Sequence, residues 1–203
     1  MKSKFLKNKL AVFMVIFLIF IGVMIAYSAE YGPKPTSTTT TLTRVLLMTS
    51  KGNITIELFD DMPITTANFL NLTKMGVYDN TIFHRVIAGF MIQGGDPTGT
   101  GNGSSSIASI RDEFTNHNRN DVYTLAMAKR GSSNGVVPNS ASSQFFINVV
   151  NNSAQRSFMD QDYSVFGRVV VGMDVVNAIA SVQVDSNSRP LQDVKLLKAL
   201  IIT

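Results

Sequence analysis

The stretch that decides the fold is Phe83–Gly101, which reads FHRVIAGFMIQGGDPTGTG. Its first half is apolar apart from His84, Arg85 and Gln93, so a guanidinium stands among residue types that usually form a protein core. Its second half is rich in glycine, but it lacks the Gly-Lys-Ser/Thr ending of a phosphate-binding loop. We therefore expect a tight, exposed turn in the second half rather than a nucleotide site.

Short β-type runs separated by turn signals surround this stretch. Arg44–Met48 and Asn53–Leu58 predict a β-hairpin, because apolar and polar residues alternate along the second run. Two helices are expected, one that begins near Pro63 and ends before Gly76, and one over Met173–Val182. Further strands are predicted at Thr81–Val86, Phe90–Gln93, Thr124–Ala128, Gln144–Val149, Ser164–Val170 and Val194–Ile202. This pattern predicts a mostly β fold, a closed antiparallel barrel with two helices.

The composition excludes several classes of function. The formal net charge is +4, and this excess is supplied before residue 10 by Lys2, Lys4, Lys7 and Lys9. The remainder of the chain has no net basic charge, which argues against a nucleic-acid-binding protein. The chain has no cysteine, which excludes disulfides and thiolate catalysis, and with only two histidines we expect no metal site.

The N-terminus has the pattern of a membrane-targeting segment, which we assign to residues 1–29. After the lysines, Leu10–Tyr27 is an uncharged, mainly apolar run of 18 residues. A signal-peptide core spans ~7–15 residues and a full membrane span takes ~20, so a cleaved signal and an uncleaved anchor both remain open. Cleavage would follow Ser28. Because lysines stay on the cytoplasmic side, we expect the rest of the chain outside the cytoplasm.

A linker is predicted between this segment and the folded domain. Residues 30–43 (EYGPKPTSTTTTLT) are rich in threonine and proline and carry too little apolar surface to fold. The folded domain is expected over residues 44–203. A chain of 203 residues without an internal repeat is expected to contain one such domain.

The stretch Phe83–Gly101 closely resembles the signature of the cyclophilin family of peptidyl-prolyl cis/trans isomerases, and the resemblance is to its bacterial or archaeal-like branch. Further matching motifs follow in order at Asp112–Phe114, Leu125–Ala128, Ser143–Asn148, Val165–Val169 and Gly172–Val176. The resemblance covers about residues 44–203. It implies an eight-stranded antiparallel β-barrel closed by two α-helices, and isomerase activity without a cofactor or a metal.

The resemblance implies Arg85 as the catalytic residue. An apolar cup for the substrate proline would be formed by Phe90, Met91, Phe146 and Met159. Gln93 would hydrogen-bond the substrate backbone, and Gln144 would flank the residue before proline. The peptide would lie beside a strand lined by Ala128 and by Lys129, the latter acting mainly through its main chain.

Two further positions expected to bind substrate depart from many eukaryotic members. Phe158 stands where those members have Trp, and Tyr163 stands where they have His. Without the indole N–H donor we expect no tight cyclosporin binding. The segment Gly131–Ser142 is longer than the family's common loop at this place, and the sequence assigns it no role. We expect His84 to be a structural histidine with satisfied hydrogen bonds rather than an acid or base.

The implied chemistry fits what the residues offer. Rotation about an X–Pro amide meets a barrier of ~18–20 kcal/mol but breaks no bond, so no nucleophile is needed. Arg85, an obligatory donor, can stabilise the twisted amide by donating to the prolyl nitrogen. We expect a monomeric enzyme that acts on proline-containing polypeptides, as exported or surface proteins fold. A cyclophilin fold that only binds its clients is the alternative, and a structural envelope protein is a third hypothesis.

Overall fold

The computed structural model describes residue 14, residues 16–26 and residues 42–202. The chain divides into two units, Met1–Thr40 and Thr41–Thr203. In the first unit residues 16–26 form helix α1, whose large apolar side chains are exposed. Among the residues described here, no helix has both the length and the apolar character that crossing a membrane requires. The rest of the predicted targeting segment and most of the predicted linker lie outside the described residues.

The second unit is mostly β, as predicted. Its strands are β1 Arg44–Thr49, β2 Gly52–Leu58, β3 Thr81–Ile82, β4 Arg85–Ile87, β5 Met91–Gly94, β6 Thr124–Met127, β7 Gly131–Ser132, β8 Gly135–Val136, β9 Phe145–Asn148, β10 Val165–Val171 and β11 Lys195–Ile202. Its helices are α2 Pro63–Lys74, α3 Asn152–Gln155, α4 Met159–Asp162 and α5 Met173–Ala180. The two predicted helices correspond to α2 and α5. The short helices α3 and α4 and the hairpin β7–β8 escape prediction because elements of two to four residues have no readable period.

Within residues 42–202, nine strands form one antiparallel sheet in the order β3–β11–β1–β2–β10–β6–β9–β5–β4. The two edge strands are consecutive in the chain, so the sheet curls until its edges meet. The predicted strand Thr81–Val86 is divided between β3 and β4. Phe83 N–H donates to Val194 O at 2.9 Å and so continues the pairing of β3 with β11, whereas Val86 N–H donates to Ser188 O at 2.8 Å, outside β11. If β3 and β4 are counted as one strand, the sheet has the eight strands that the resemblance implies.

Aromatic side chains fill the inside of the curled sheet. The ring of Phe69, on α2, lies 5.6 Å from that of Phe145 and 5.2 Å from that of Phe166, measured between centroids. Tyr78 contacts both Phe69 and Phe145. Phe83, Phe145 and Phe166 are all buried, as expected for core residues. Full burial of a large apolar side chain contributes about 1.5–3 kcal/mol, so this cluster stabilises the closed form of the sheet.

A charged ladder crosses the outer face of the sheet. Glu57 on β2 lies in register with Arg44 on β1 and with Arg168 on β10. Arg44 donates two hydrogen bonds to Oε2 of Glu57, at 3.1 and 2.9 Å, and Arg168 donates two to Oε1, at 3.2 and 2.8 Å. Hydrogen bonds from Arg44 and then Arg168 hold the pKa of Glu57 below its ordinary value, although burial opposes them.

We predict that Glu57→Gln lowers the free energy of unfolding by about 1 kcal/mol at neutral pH, because both arginines stay partly in solvent. Glu57 has a lowered pKa in the folded state, so its contribution is present above the pKa of the unfolded carboxyl. That contribution is lost as the pH falls through the folded-state pKa. Urea unfolding at a series of pH values should therefore show wild type and variant converging in acid.

Asp60→Asn is the control for this experiment, because it removes an equal charge from an exposed position. The control should leave the unfolding free energy within a few tenths of a kcal/mol of wild type. A Glu57→Gln deficit that is the same at every pH would contradict the ladder's proposed electrostatic role.

Candidate active site

One groove brings together nearly all the residues that the resemblance implies for catalysis and binding. It has a volume of about 750 Å³ and is lined by Arg85 together with Phe90, Met91, Gln93, Ala128, Lys129, Phe146, Phe158, Met159 and Tyr163. Gln144 lines a second groove of about 920 Å³. The two grooves share Gln93, Ala128 and Lys129, so they adjoin. The sequence positions therefore converge in space, although they come from five separate parts of the chain.

The floor of the first groove is an apolar cluster separate from the main core. Its buried members are Met91, Ala126, Phe146, Met159 and Val165. Phe90, Ala128 and Tyr163 pack against it as half-buried residues, and the Tyr163 ring meets Phe146 edge-on at 5.3 Å. Phe158 lies at the lip with 57% of its surface exposed. The result is a shallow apolar cup that can accept a small ring.

Arg85 stands beside this cup on β4, exposed and in register with Gln93 on β5. Its Nη1 donates to Gln93 Oε1 at 3.3 Å. Gln93 Nε2 donates in turn to Gln144 Oε1 at 2.9 Å, and Gln144 Nε2 donates to the carbonyl of Gly101 at 3.0 Å. A permanent positive charge therefore lies at the edge of an apolar surface, and a row of side-chain amides orients it.

The ammonium group of Lys129 does not face the groove as a free cation. Its Nζ lies 2.7 Å from Asp112 Oδ2, and the two side chains are only 3% and 10% exposed. Next to it, Ala128 N–H donates to the carbonyl of Gln144 at 2.9 Å. This bond links Ala128, which lines both grooves, to Gln144, which lines the second. Lys129 therefore contributes its stem and backbone to the groove lining, while its charge is neutralised by Asp112.

Comparison with known proteins agrees with this geometry. Residues 44–201 match the family described as cyclophilin type peptidyl-prolyl cis-trans isomerase. The chain belongs to that family. A peptidyl-prolyl cis-trans isomerase of Schizosaccharomyces pombe is 41% identical over 167 residues, which cover 79% of this chain and 100% of that protein. One of Streptomyces antibioticus is 45% identical over 165 residues, covering 79% of this chain and 96% of the relative.

Other relatives of this cyclophilin are much longer. The chain spans about a quarter of the length of a peptidyl-prolyl cis-trans isomerase of Arabidopsis thaliana, to which it is 44% identical over 169 residues. Among solved structures, a cyclophilin type isomerase of Cryptosporidium parvum matches with a TM-score of 0.70 at 33% identity, over 80% of this chain and 98% of that one. The same Cryptosporidium parvum protein in the presence of the dipeptide Ala-Pro matches with a TM-score of 0.68 at 34% identity, over 79% of this chain and 99% of that one.

The groove of this cyclophilin also includes residues that were not predicted from the sequence. Asp185, Asn187 and Arg189 line it from the segment between α5 and β11, and Gly131, Gly135 and Val136 line it from the hairpin β7–β8. The long segment without an assigned role therefore forms part of the groove wall. Arg156 does not line the groove itself, but its guanidinium carbon lies 4.7 Å from the ring centre of Phe90, which does. No local pattern marks these residues, because each reaches the groove through long-range folding.

The glycine-rich segment forms the tight, exposed turn that the sequence predicts. Pro97 and Thr98 form the turn and are exposed, as are Thr100 and Asn102. Asp96 is fully buried, and its Oδ1 accepts from the Thr98 amide at 2.9 Å and the Thr98 hydroxyl at 2.8 Å. Its Oδ2 accepts from the amides of Gly101 at 2.7 Å and Gly103 at 3.1 Å. Burial opposes ionisation, but these hydrogen bonds outweigh it and lower the pKa of Asp96. The sequence does not predict this buried carboxylate, which holds the turn.

The expectation of a satisfied His84 is wrong. His84 lines the groove beside Arg85 and is only 7% exposed, yet within the described residues neither ring nitrogen has a hydrogen-bond partner. Burial lowers its pKa, as do the nearby charges of Arg189 and Arg85, whereas Asp96 and the side-chain amide of Gln144 oppose the shift. The contact with Gln144 falls short of hydrogen-bond geometry. The imidazole is therefore neutral at neutral pH, and it adds no second cation next to Arg85.

We predict that this histidine makes the protein acid-sensitive below about pH 6.5, the ordinary pKa of histidine. The unfolded chain takes up a proton there before the folded chain does, so the free energy of unfolding decreases as the pH falls. Urea unfolding between about pH 7 and pH 5 should show this slope in wild type, and His84→Gln should remove it. His117→Gln, at a side chain that is 86% exposed, is the matched control and should keep it. Equal slopes in all three proteins would contradict the assignment.

Proposed function

We propose that this chain catalyses cis/trans isomerisation of X–Pro bonds without a covalent intermediate, with Arg85 as the catalytic residue. The observation that carries the proposal is the position of Arg85. Its guanidinium is exposed beside a buried apolar cluster, and within the described residues its one hydrogen bond is the 3.3 Å contact with Gln93. Several of its N–H donors are therefore available to a substrate bound in the cup.

Arg85 acts on the nitrogen of the amide that rotates. In the planar amide the nitrogen lone pair is shared with the carbonyl, and this sharing causes the barrier of ~18–20 kcal/mol. In the twisted state the lone pair is localised on nitrogen and accepts a hydrogen bond. Because the guanidinium donates only in that state, it stabilises the transition state more than the substrate and accelerates the rotation.

The apolar cup supplies what one hydrogen bond cannot. A hydrogen bond to a charged group contributes about 1.5–3 kcal/mol, whereas a 10⁴-fold acceleration needs about 5.4 kcal/mol. A proline ring seated over Phe146, Met91 and Met159 would exclude water, which strengthens the contact between Arg85 and the prolyl nitrogen. Gln93, whose Nε2 carries a second N–H, would hold the substrate backbone while the acyl side turns.

We predict that Arg85→Ala lowers the kcat/KM for an X–Pro peptide by about 10- to 100-fold, the equivalent of one charged hydrogen bond. Arg85→Lys keeps the charge but loses the forked donor geometry, and it should lose most of the activity as well. NMR exchange spectroscopy on the full chain in a mild detergent measures the rates, and circular dichroism verifies the fold.

Arg119→Ala is the matched control, since Arg119 is an exposed arginine that pairs with Asp121 outside the groove. It should retain wild-type activity. A folded wild-type protein without any rate above background would overturn the isomerase proposal. Binding of the same peptide by that protein would then favour a client-binding role for the groove.

We further propose that the enzyme acts on exported or surface proteins, held outside the cytoplasm by residues 1–29. Support comes from the four lysines before residue 10 and the apolar run Leu10–Tyr27 that follows them. The exposed apolar side chains of α1 are the second support, because exposed apolar surface on a helix favours a lipid or protein environment. The segment serves either as an anchor or as a signal that is removed.

We predict that the full chain sediments with membranes or is released outside the cytoplasm, and that the double variant Ile19→Arg, Phe20→Arg stays in the cytoplasm. Two charges in the middle of the run make insertion unfavourable by about 5 kcal/mol or more. Fractionation with external protease locates the isomerase domain. The N-terminal sequence then separates the two forms, since a start near Ala29 indicates cleavage and an intact Met1 or Lys2 indicates an anchor. Wild-type protein recovered only in the cytoplasm would contradict the proposal.

A further inference from the structure

The polar side chains of the groove belong to a longer hydrogen-bonded series that ends on a buried carboxylate. From Arg85 the series runs through Gln93 and Gln144 to the carbonyl of Gly101. The amides of Gly101 and Gly103, which flank the peptide group that carries this carbonyl, both donate to Asp96 Oδ2, at 2.7 and 3.1 Å, so Asp96 forms the far end. Asp96 does not line either groove and cannot touch a substrate.

The two ends of this series fix the orientation of both glutamine side chains. A guanidinium only donates and a backbone carbonyl only accepts hydrogen bonds. Gln144 must therefore turn its NH₂ group to Gly101 and its oxygen to Gln93. Gln93 must likewise turn its NH₂ group to Gln144, which leaves its oxygen for Arg85. A reversed Gln93 would present donors to a donor and push the guanidinium away.

Asp96 is the residue that holds the accepting end in place. Its Oδ2 binds two successive turns of the loop, through Gly101 and Gly103, and Arg189 Nη1 adds a clamp by donating to Gly99 O at 2.8 Å. Gly101 has a φ of +85°, and a Cβ there would lie only 3.2 Å from His84 Cδ2. The peptide unit of Gly101 is therefore confined by hydrogen bonds and by packing.

We propose that Asp96 is a positioning residue for catalysis: it fixes the Gly101 carbonyl, which sets both glutamine amides and thereby aims Arg85 at the prolyl nitrogen. The inference rests on the proposed function, because it assumes that Arg85 is the catalytic group. It predicts a specific kinetic effect. The apolar cluster that floors the cup does not include Asp96, so the loss of Asp96 should lower kcat by a larger factor than it raises KM through Gln93.

The test replaces Asp96 by asparagine in the full chain, in a mild detergent, and measures kcat and KM for an X–Pro peptide by NMR exchange. Misdirection of a catalytic group by a fraction of an ångström costs on the order of tenfold in rate. We expect Asp96→Asn to lower kcat about tenfold, a larger factor than the change in KM. Asp79→Asn is the matched control, because Asp79 likewise accepts from a backbone amide, that of Ala199 at 3.0 Å, and lines neither groove. It should keep wild-type kcat.

A second readout separates aiming from general loosening of the loop. The Arg85 Nε–H signal, assigned with Arg85→Lys, should move in Asp96→Asn and stay in place in Asp79→Asn. In a Gln144→Leu background, where the series is already broken, Asp96→Asn should lower kcat no further. Multiplying effects in the double variant would mean that Asp96 acts by another route, and would overturn the inference.

The outcomes distinguish this inference from the proposed function. An inactive wild type, or an Arg85→Ala variant with full activity, refutes the function itself. A loss of activity in Arg85→Ala together with unchanged kcat in Asp96→Asn refutes only the role of Asp96. If Asp96→Asn does not fold, Gln144→Leu carries the test, because it breaks the series outside the loop. Unchanged kcat in Gln144→Leu overturns the inference.

Discussion

The antiparallel register across β4, β5, β9 and β6 is the constraint on which the site depends. One row of paired residues faces the groove, and it consists of Arg85, Gln93, Phe146 and Ala126. The next row faces the barrel core, and it consists of Val86, Ile92, Ile147 and Leu125. Because successive residues of a strand point to opposite faces, a slip of one residue would exchange these rows. The core therefore fixes the register, and the register places the guanidinium, the amide and the apolar floor side by side.

Much of this arrangement could be predicted from local pattern and resemblance. Alternating residues in Asn53–Leu58 predict a half-buried strand, and Pro63 followed by a helical period predicts α2. These two elements depend on neighbouring residues, so they are readable from the sequence alone. An arginine in an apolar strand is by itself most often a surface residue, and only the resemblance to the cyclophilin signature marks Arg85 as functional.

The remaining features depend on contacts between distant parts of the chain. The residues Thr81–Val86 take their hydrogen-bond partners from Ser188 and Val194, about a hundred positions further along. The ion pair of Lys129 with Asp112 and the unpartnered imidazole of His84 likewise require the folded arrangement. Local periodicity contains no information about such pairs, which is why the prediction that the hydrogen bonds of His84 are satisfied was wrong.

The glycine-rich loop explains why a motif can resemble a phosphate site and serve another purpose. Four glycines take positive φ within nine residues: Gly95, Gly99, Gly101 and Gly103. Such backbones direct successive amides toward one point and form anion sites in many proteins. Here the anion is the protein's own Asp96, and the amides of Thr98, Gly101 and Gly103 converge on it. Because the charge is internal, these hydrogen bonds hold the loop without a ligand, and its Gly101 carbonyl accepts a hydrogen bond from Gln144. A fixed acceptor is what the amide of Gln144 requires, so the loop contributes to the isomerase site through backbone geometry rather than through a side chain in the groove.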